Sequence, residues 1–305
     1  PPVVVIPPTP PSPAVTAAQT VFVEKMQSIA ETVAASQGAV QTARDALIAS
    51  IDSHIEAVLR AGSQSGQPAE ATIRTIRAQL INSIDVTFAA GSVPTAQEES
   101  RLQKSIQEGF AAIDRAAAVD PSIAAPARAA LTDAIGSFAD AVQRATQSLQ
   151  ASGAGEVYKD TNKDGISDYD SVHLYNIDPV KPSPVTVVDG KTLTAGDKVL
   201  LGYDPTAKDL VALPREEASS SYAPETTVYK VEEVKLTEEK QVSISGSALP
   251  NSYVTLYIYS TPIVVTVKTD RNGKWSYTMD RELESGEHKI YAASVDNTGK
   301  IVAKT

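Results

Sequence analysis

Six residues between positions 160 and 168 have the types and spacing needed to hold a hard cation. In the run DTNKDGISDYDS (160–171), Asp160, Asn162 and Asp164 place oxygen-bearing side chains at alternate positions. Gly165 follows, Ile166 offers a backbone carbonyl, and Asp168 supplies one more carboxylate. Calcium takes six to eight oxygens, and alternate side chains of a tight loop converge on one point while a glycine at the sixth position brings the seventh carbonyl round. The pattern therefore predicts a calcium site with Asp160, Asn162, Asp164, Ile166 and Asp168 as ligands. The competing reading is an acidic surface turn. The twelfth position, usually a bidentate acid, is Ser171, with Asp170 one residue early. This departure predicts a weaker site, or one completed by Asp170, Asp178 or water.

Other chemistries find little material. The 305 residues include no cysteine, which excludes disulfides, thiolate zinc sites, iron–sulfur clusters and a Cys nucleophile. His54, His173 and His288 lie far apart, and no Glu-x-x-His pair of the kind that builds bundle metal sites occurs: Ile51 precedes His54 by three. No phosphate loop, dinucleotide fingerprint, nucleophile elbow or His-Glu-x-x-His is present. Glu98-Glu99, Glu216-Glu217, Glu232-Glu233 and Glu238-Glu239 are adjacent pairs, whose side chains diverge on a strand or a helix and cannot converge on a substrate. No enzymatic activity is expected. A net charge of −10 without a dense Lys/Arg run argues against nucleic acid, and no apolar stretch is long enough to span a bilayer.

The elements that must position the loop follow from periodicity. Residues 1–13 form a Pro-rich linker of polyproline type, in which the β-branched run Val3–Ile6 could instead pair with a sheet edge on a neighbouring molecule. Residues 14–152 read as an antiparallel helical bundle. Phe22, Met26, Ile29, Val33, Val40, Leu47, Ile51, Ile55 and Val58 follow helical steps, as one long helix or two if Gly38 breaks it. A turn is expected at Gly62–Pro68, then a stripe from Ile73 to Phe88, a capping box at Thr95 and Glu98 after Gly91, a stripe from Leu102 to Ile113, and a last helix started by Asp120-Pro121 or Pro126. Residues 153–205 hold the loop and a second, degenerate copy. Counting back from Val199, its ligand positions are Val187, Asp189, Lys191, Ala195 and Lys198, so it is not expected to bind calcium. Leu174, Val199 and Leu200 are the expected apolar centre. A connector with the serine stretch 219–222 covers 206–227. From 228 to 305 the period is two, with seven short strands and turns at Asp270–Gly273 and Asn297–Gly299, which predicts a β-sandwich with Trp275, Tyr257, Val265 and Tyr291 as core anchors.

Two resemblances extend this reading. The Asp-rich loop, short apolar helix and Asp178-Pro179, echoed by Asp204-Pro205, resemble thrombospondin type 3 and related calcium repeats of bacterial surface proteins. The D-x-x-G-x-W and G-x-H-x-I-Y elements (Asp270, Gly273, Trp275; Gly286, His288, Tyr291) resemble bacterial immunoglobulin-like domains of cell-surface proteins. Together they imply a multidomain α + β protein: a helical bundle, a small calcium-loop connector and an immunoglobulin-like β-sandwich. The expected protein is extracellular, on the cell surface, with calcium as cofactor and with self-association or other surface proteins as partners. Its expected role is a calcium-stiffened subunit of a surface layer, filament or stalk. The alternatives are an adhesin and the non-catalytic arm of a secreted enzyme. Pro1 in place of Met and the closing strand KIVAKT suggest a piece of a longer chain.

Overall fold

The computed structural model describes residues 12–65, 70–87, 93–117, 125–215, 223–237, 241–259, 263–280 and 286–305, with the backbone alone at 62–65. Val3–Ile6, Gln67-Pro68, Phe88, Gly91, Asp120-Pro121 and the serine stretch 219–222 lie outside the described residues. The chain divides into two compact units, one of Thr32–Ala151 and one that joins Pro1–Glu31 to Ser152–Thr305.

The first of these units is helical. Helix α1 (Pro13–Ser65) contributes its later turns, followed by α2 (Glu70–Thr87), α3 (Ala96–Ala117) and α4 (Ala125–Ser152). One core is built from Val40, Leu47, Ile51, Ile55 and Val58 of α1 with Ile73, Leu80 and Ile84, Leu102, Ile106 and Ile113, and Leu131, Phe138 and Val142. The stripes named by helical spacing are the buried ones because each helix has a single narrow apolar face to hide. Two details differ from the sequence reading. The helix runs unbroken through Gly38, which has open space around it and so costs only helical propensity. It also continues through Gly62 to Ser65, where a turn was expected. The capping box is formed: the Thr95 N–H donates to Glu98 Oε2 at 2.8 Å and the Glu98 N–H to Thr95 Oγ1 at 3.3 Å.

The second unit carries the β-structure. A 3-10 turn (Ala154–Tyr158) leads into the loop, then α5 (Asp168–His173), a hairpin of β1 (Thr186–Val188) and β2 (Lys191–Leu193), and α6 (Ala195–Leu201). Seven further strands follow: β3 (Lys230–Leu236), β4 (Val242–Ser247), β5 (Tyr253–Tyr259), β6 (Ile263–Lys268), β7 (Lys274–Thr278), β8 (Lys289–Val295) and β9 (Ile301–Lys304). They make two antiparallel sheets, ordered β3-β4-β7 and β6-β5-β8-β9.

Strand β5 is buried on both faces. Val254, Leu256 and Ile258 face the sandwich interior, while Tyr253 packs with Ile166, Leu174, Tyr175, Ala195 and Val199 on the opposite face. Tyr257, on that same face, packs with Ala223, Ala293 and Ile301. A strand covered on both sides has no polar face to alternate, which is why YVTLYIY is nearly all apolar or aromatic. The segment before the strands is thus a cover of the sheet and shares its core. Leu200 was expected in that apolar centre, but it is 41 % exposed, because one residue along a helix turns the side chain about 100° away from Val199. Trp275 is buried as expected; Tyr257 is buried too, but on the face opposite the sandwich interior, and Val265, on edge strand β6, and Tyr291 are only half-buried.

Candidate functional site

Loop 160–171 is held in shape by its own acidic side chains. Asp160 accepts from the Asp164 N–H at 3.1 Å and the Gly165 N–H at 2.9 Å. Asn162 Oδ1 accepts from the same Asp164 N–H at 3.2 Å, and Asp164 Oδ1 accepts from the Ile166 N–H at 2.9 Å. These bonds gather the oxygens of Asp160, Asn162 and Asp164 around one short stretch of backbone. Asp168 is turned elsewhere: its two oxygens accept from the Thr161 N–H at 2.8 Å and from Thr161 Oγ1 at 2.6 Å. Among the described residues, no group of three or more His, Asp or Glu is placed to hold a metal ion.

The three ways of completing the loop sort differently. Asp170 is 1 % exposed and accepts from Ser252 Oγ at 2.7 Å, so it faces the sheet; burial pushes its carboxyl up to about 7. Asp178 pairs with Lys181 Nζ at 2.7 Å, and this bond holds its carboxyl below the ordinary range. At the twelfth position itself, Ser171 is buried and its hydroxyl has no hydrogen-bond partner in the structure. A buried hydroxyl without a partner thus stands at the twelfth position of the pattern, and the three gathered oxygen-bearing side chains are chemically suited to a hard cation. Asp168 fits it only if it gives up both bonds to Thr161.

The loop is bonded to the sheet at several points that the sequence does not announce. The Gly165 carbonyl accepts from Tyr253 Oη at 2.7 Å and from Lys268 Nζ. Asn251 Nδ2 donates to the Tyr158 carbonyl at 3.2 Å. From the other half of the module, the Gly196 N–H donates to the Asp164 carbonyl at 2.9 Å. Gly196 sits so close that a Cβ there would lie 2.5 Å from Tyr253 Oη and 2.9 Å from the Gly165 backbone. One signal for this was legible: Thr194 and Asp197 form a capping box that starts α6 at this point. The ring of Tyr169, on α5, stacks on His173 at 4.2 Å, and Phe22 of α1 lies 6.2 Å from both rings.

The stretch expected to be a degenerate second copy has no such loop. Val187, Asp189 and Lys191 lie in the β1–β2 hairpin and its Asp189-Gly190 turn. Lys198 is fully buried, and its ammonium donates to the Pro184 carbonyl at 3.0 Å and the Ala207 carbonyl at 2.6 Å. Desolvation lowers its pKa, against the pull of Asp204 and Asp209.

Comparison with known proteins gives one match. Residues 230–305, which span β3 to β9, match the family model of a bacterial Ig-like domain. No curated protein and no solved structure matches the chain. No helix among the described residues is long and apolar enough to cross a membrane.

Proposed function

We propose that the chain is a non-enzymatic structural protein of a bacterial cell surface, and that it acts by self-association as a subunit of a surface layer, filament or stalk. The observation that carries this reading is the match of 230–305 to a bacterial Ig-like domain, which is consistent with a surface or extracellular protein. The absence of any catalytic motif from the sequence supports the non-enzymatic part.

Calcium belongs to the same proposal. Asp160, Asn162 and Asp164 would hold it through their side chains and Ile166 through its carbonyl, with Asp168 available once it leaves Thr161. When bound, the ion would supply charge to neutralise the loop's acids. Because the Gly165 carbonyl is bonded to Tyr253 and Lys268, an ordered loop also steadies its cover of the sheet. A ligand that binds only the folded state at one hundred times its Kd adds about 2.7 kcal/mol of stability. For a unit of this size that corresponds to about 5–10 °C in melting temperature. The test is melting and light scattering with calcium and with a chelator, on the parent and on Asp160→Ala. The expected result is a calcium-dependent rise in melting temperature and ordered assembly, both lost in the variant. Melting and assembly unchanged by the chelator would sink the calcium role; a chain that stays monomeric at every concentration would sink the structural one.

A further inference from the structure

The two sheets leave four edge strands, β3 and β7 in one and β6 and β9 in the other. Unpaired edges recruit other chains unless they are covered or charged. Strand β9 is covered: Glu225 makes a parallel bridge to Lys304, and the Thr226 N–H donates to the Lys304 carbonyl at 2.9 Å. Strand β3 carries Lys230, Glu232, Glu233 and Lys235, which blunt it. Strand β7 is short and begins on Lys274, whose ammonium pairs with Glu232 at 2.9 Å.

Strand β6 has neither protection. Its sequence is IVVTVK, with no charge before Lys268, and among the described residues it pairs with β5 alone. A cavity of about 330 Å³ runs beside it, lined by Val264, Val265 and Thr266 and walled by Leu200, Leu201 and Tyr277, with Arg215 also on its wall. Leu200 and Leu201 are 41 % and 55 % exposed. An uncharged, β-branched edge beside a groove of mixed aliphatic and polar lining is an arrangement that takes an extended segment by strand addition, the edge giving main-chain hydrogen bonds and the groove taking alternate side chains.

We propose that the β6 edge and its groove receive the Val3–Ile6 segment of a second copy of this chain. The proposal rests on the self-association put forward above and names its contact. The segment is four β-branched residues without charge, so it suits an uncharged edge and would be excluded from the Lys/Glu edge of β3. Prolines on both sides limit the added strand to about 13 Å at 3.3 Å per residue, which β6, at about 20 Å, accommodates.

The test uses the full chain in light scattering across concentration, with Val4→Glu, Val265→Lys and the double variant, and a labelled peptide of residues 1–9. The expected result is that the peptide binds the parent and in excess dissociates its assemblies. Each single variant lowers the association constant at least tenfold, and the double variant recovers part of the loss because the new charges pair. Trp275 fluorescence melting checks that Val265→Lys is folded; if it is not, Val4→Glu and the peptide still decide. An assembly insensitive to Val4→Glu, together with a peptide that does not bind, overturns the inference and leaves self-association standing by another surface. A chain monomeric at every concentration overturns both.

Discussion

Gly196→Ala tests whether the loop and its cover of the sheet are one packed body. A Cβ at this position would lie 2.5 Å from Tyr253 Oη and 2.9 Å from the Cα and carbonyl carbon of Gly165. Gly165 is backbone, and it is fixed because Asp160 accepts from its N–H while Tyr253 and Lys268 donate to its carbonyl. The methyl group must therefore push Tyr253 off the carbonyl or separate α6 from the loop. Either way a buried polar contact is lost, at about 1–3 kcal/mol, and overpacking adds about 1–3 kcal/mol. The sum, about 2–6 kcal/mol, lowers the melting temperature of a unit this size by about 4–24 °C. The assay is selective, because Trp275 and all eleven tyrosines lie between residues 158 and 291, so tryptophan and tyrosine fluorescence reports on this unit and not on Thr32–Ala151. A midpoint within about 1 °C of the parent would refute the packing argument. Rupture elsewhere, with the Gly165 contacts intact, would leave no route to so large a shift.

Two substitutions examine the helical unit through far-ultraviolet dichroism. His54 is fully buried against Phe110, ring edge to face at 5.2 Å, with no hydrogen-bond partner at either nitrogen. Burial lowers its pKa from 6.5, with Asp114 raising it and Arg128 lowering it. A base held neutral in the fold contributes stability that is present above pH 6.5 and lost as pH falls toward the lowered value, at no more than about 1.4 kcal/mol per pH unit. His54→Leu is expected to flatten the dependence between pH 7.5 and pH 5, and an unchanged slope would show that another group carries it. Gly38→Ala, on an exposed helical face with open space around it, is expected to stabilise the unit by about 0.5–1 kcal/mol, and a fall in its melting temperature would contradict an unbroken helix there.

The helical core was readable because its signal is local. Met26, Ile29, Val33, Val40, Leu47, Ile51, Ile55 and Val58 repeat on one face over a helix of 53 residues, and the long repeat fixes which face is buried. Helix α6 has seven residues, too few to say which of Val199, Leu200 and Leu201 turns inward. The gathering of Asp160, Asn162 and Asp164 round one turn follows from their spacing, but the turn of Asp168 toward Thr161 does not, since a threonine hydroxyl competes for the same carboxylate without any mark in the pattern. Lys198 was read as an eroded ligand position. Its burial depends on the carbonyls of Pro184 and Ala207, which come from separate stretches of chain and leave no sequence signature. The same holds for Asp170, whose partner Ser252 is 82 residues away.

The family match begins at 230, but the sheet's outer face is already closed by then: Tyr253 is buried by Ile166, Leu174 and Val199, Ser252 holds Asp170, and Glu225 lines the edge of β9. Ig-like modules are usually pictured as cassettes that genes exchange by recombination at their borders. Cut at 230, this one would carry a bare tyrosine face and an unlined edge into its new host, so a recombination border at the start of the family match would divide a packed body.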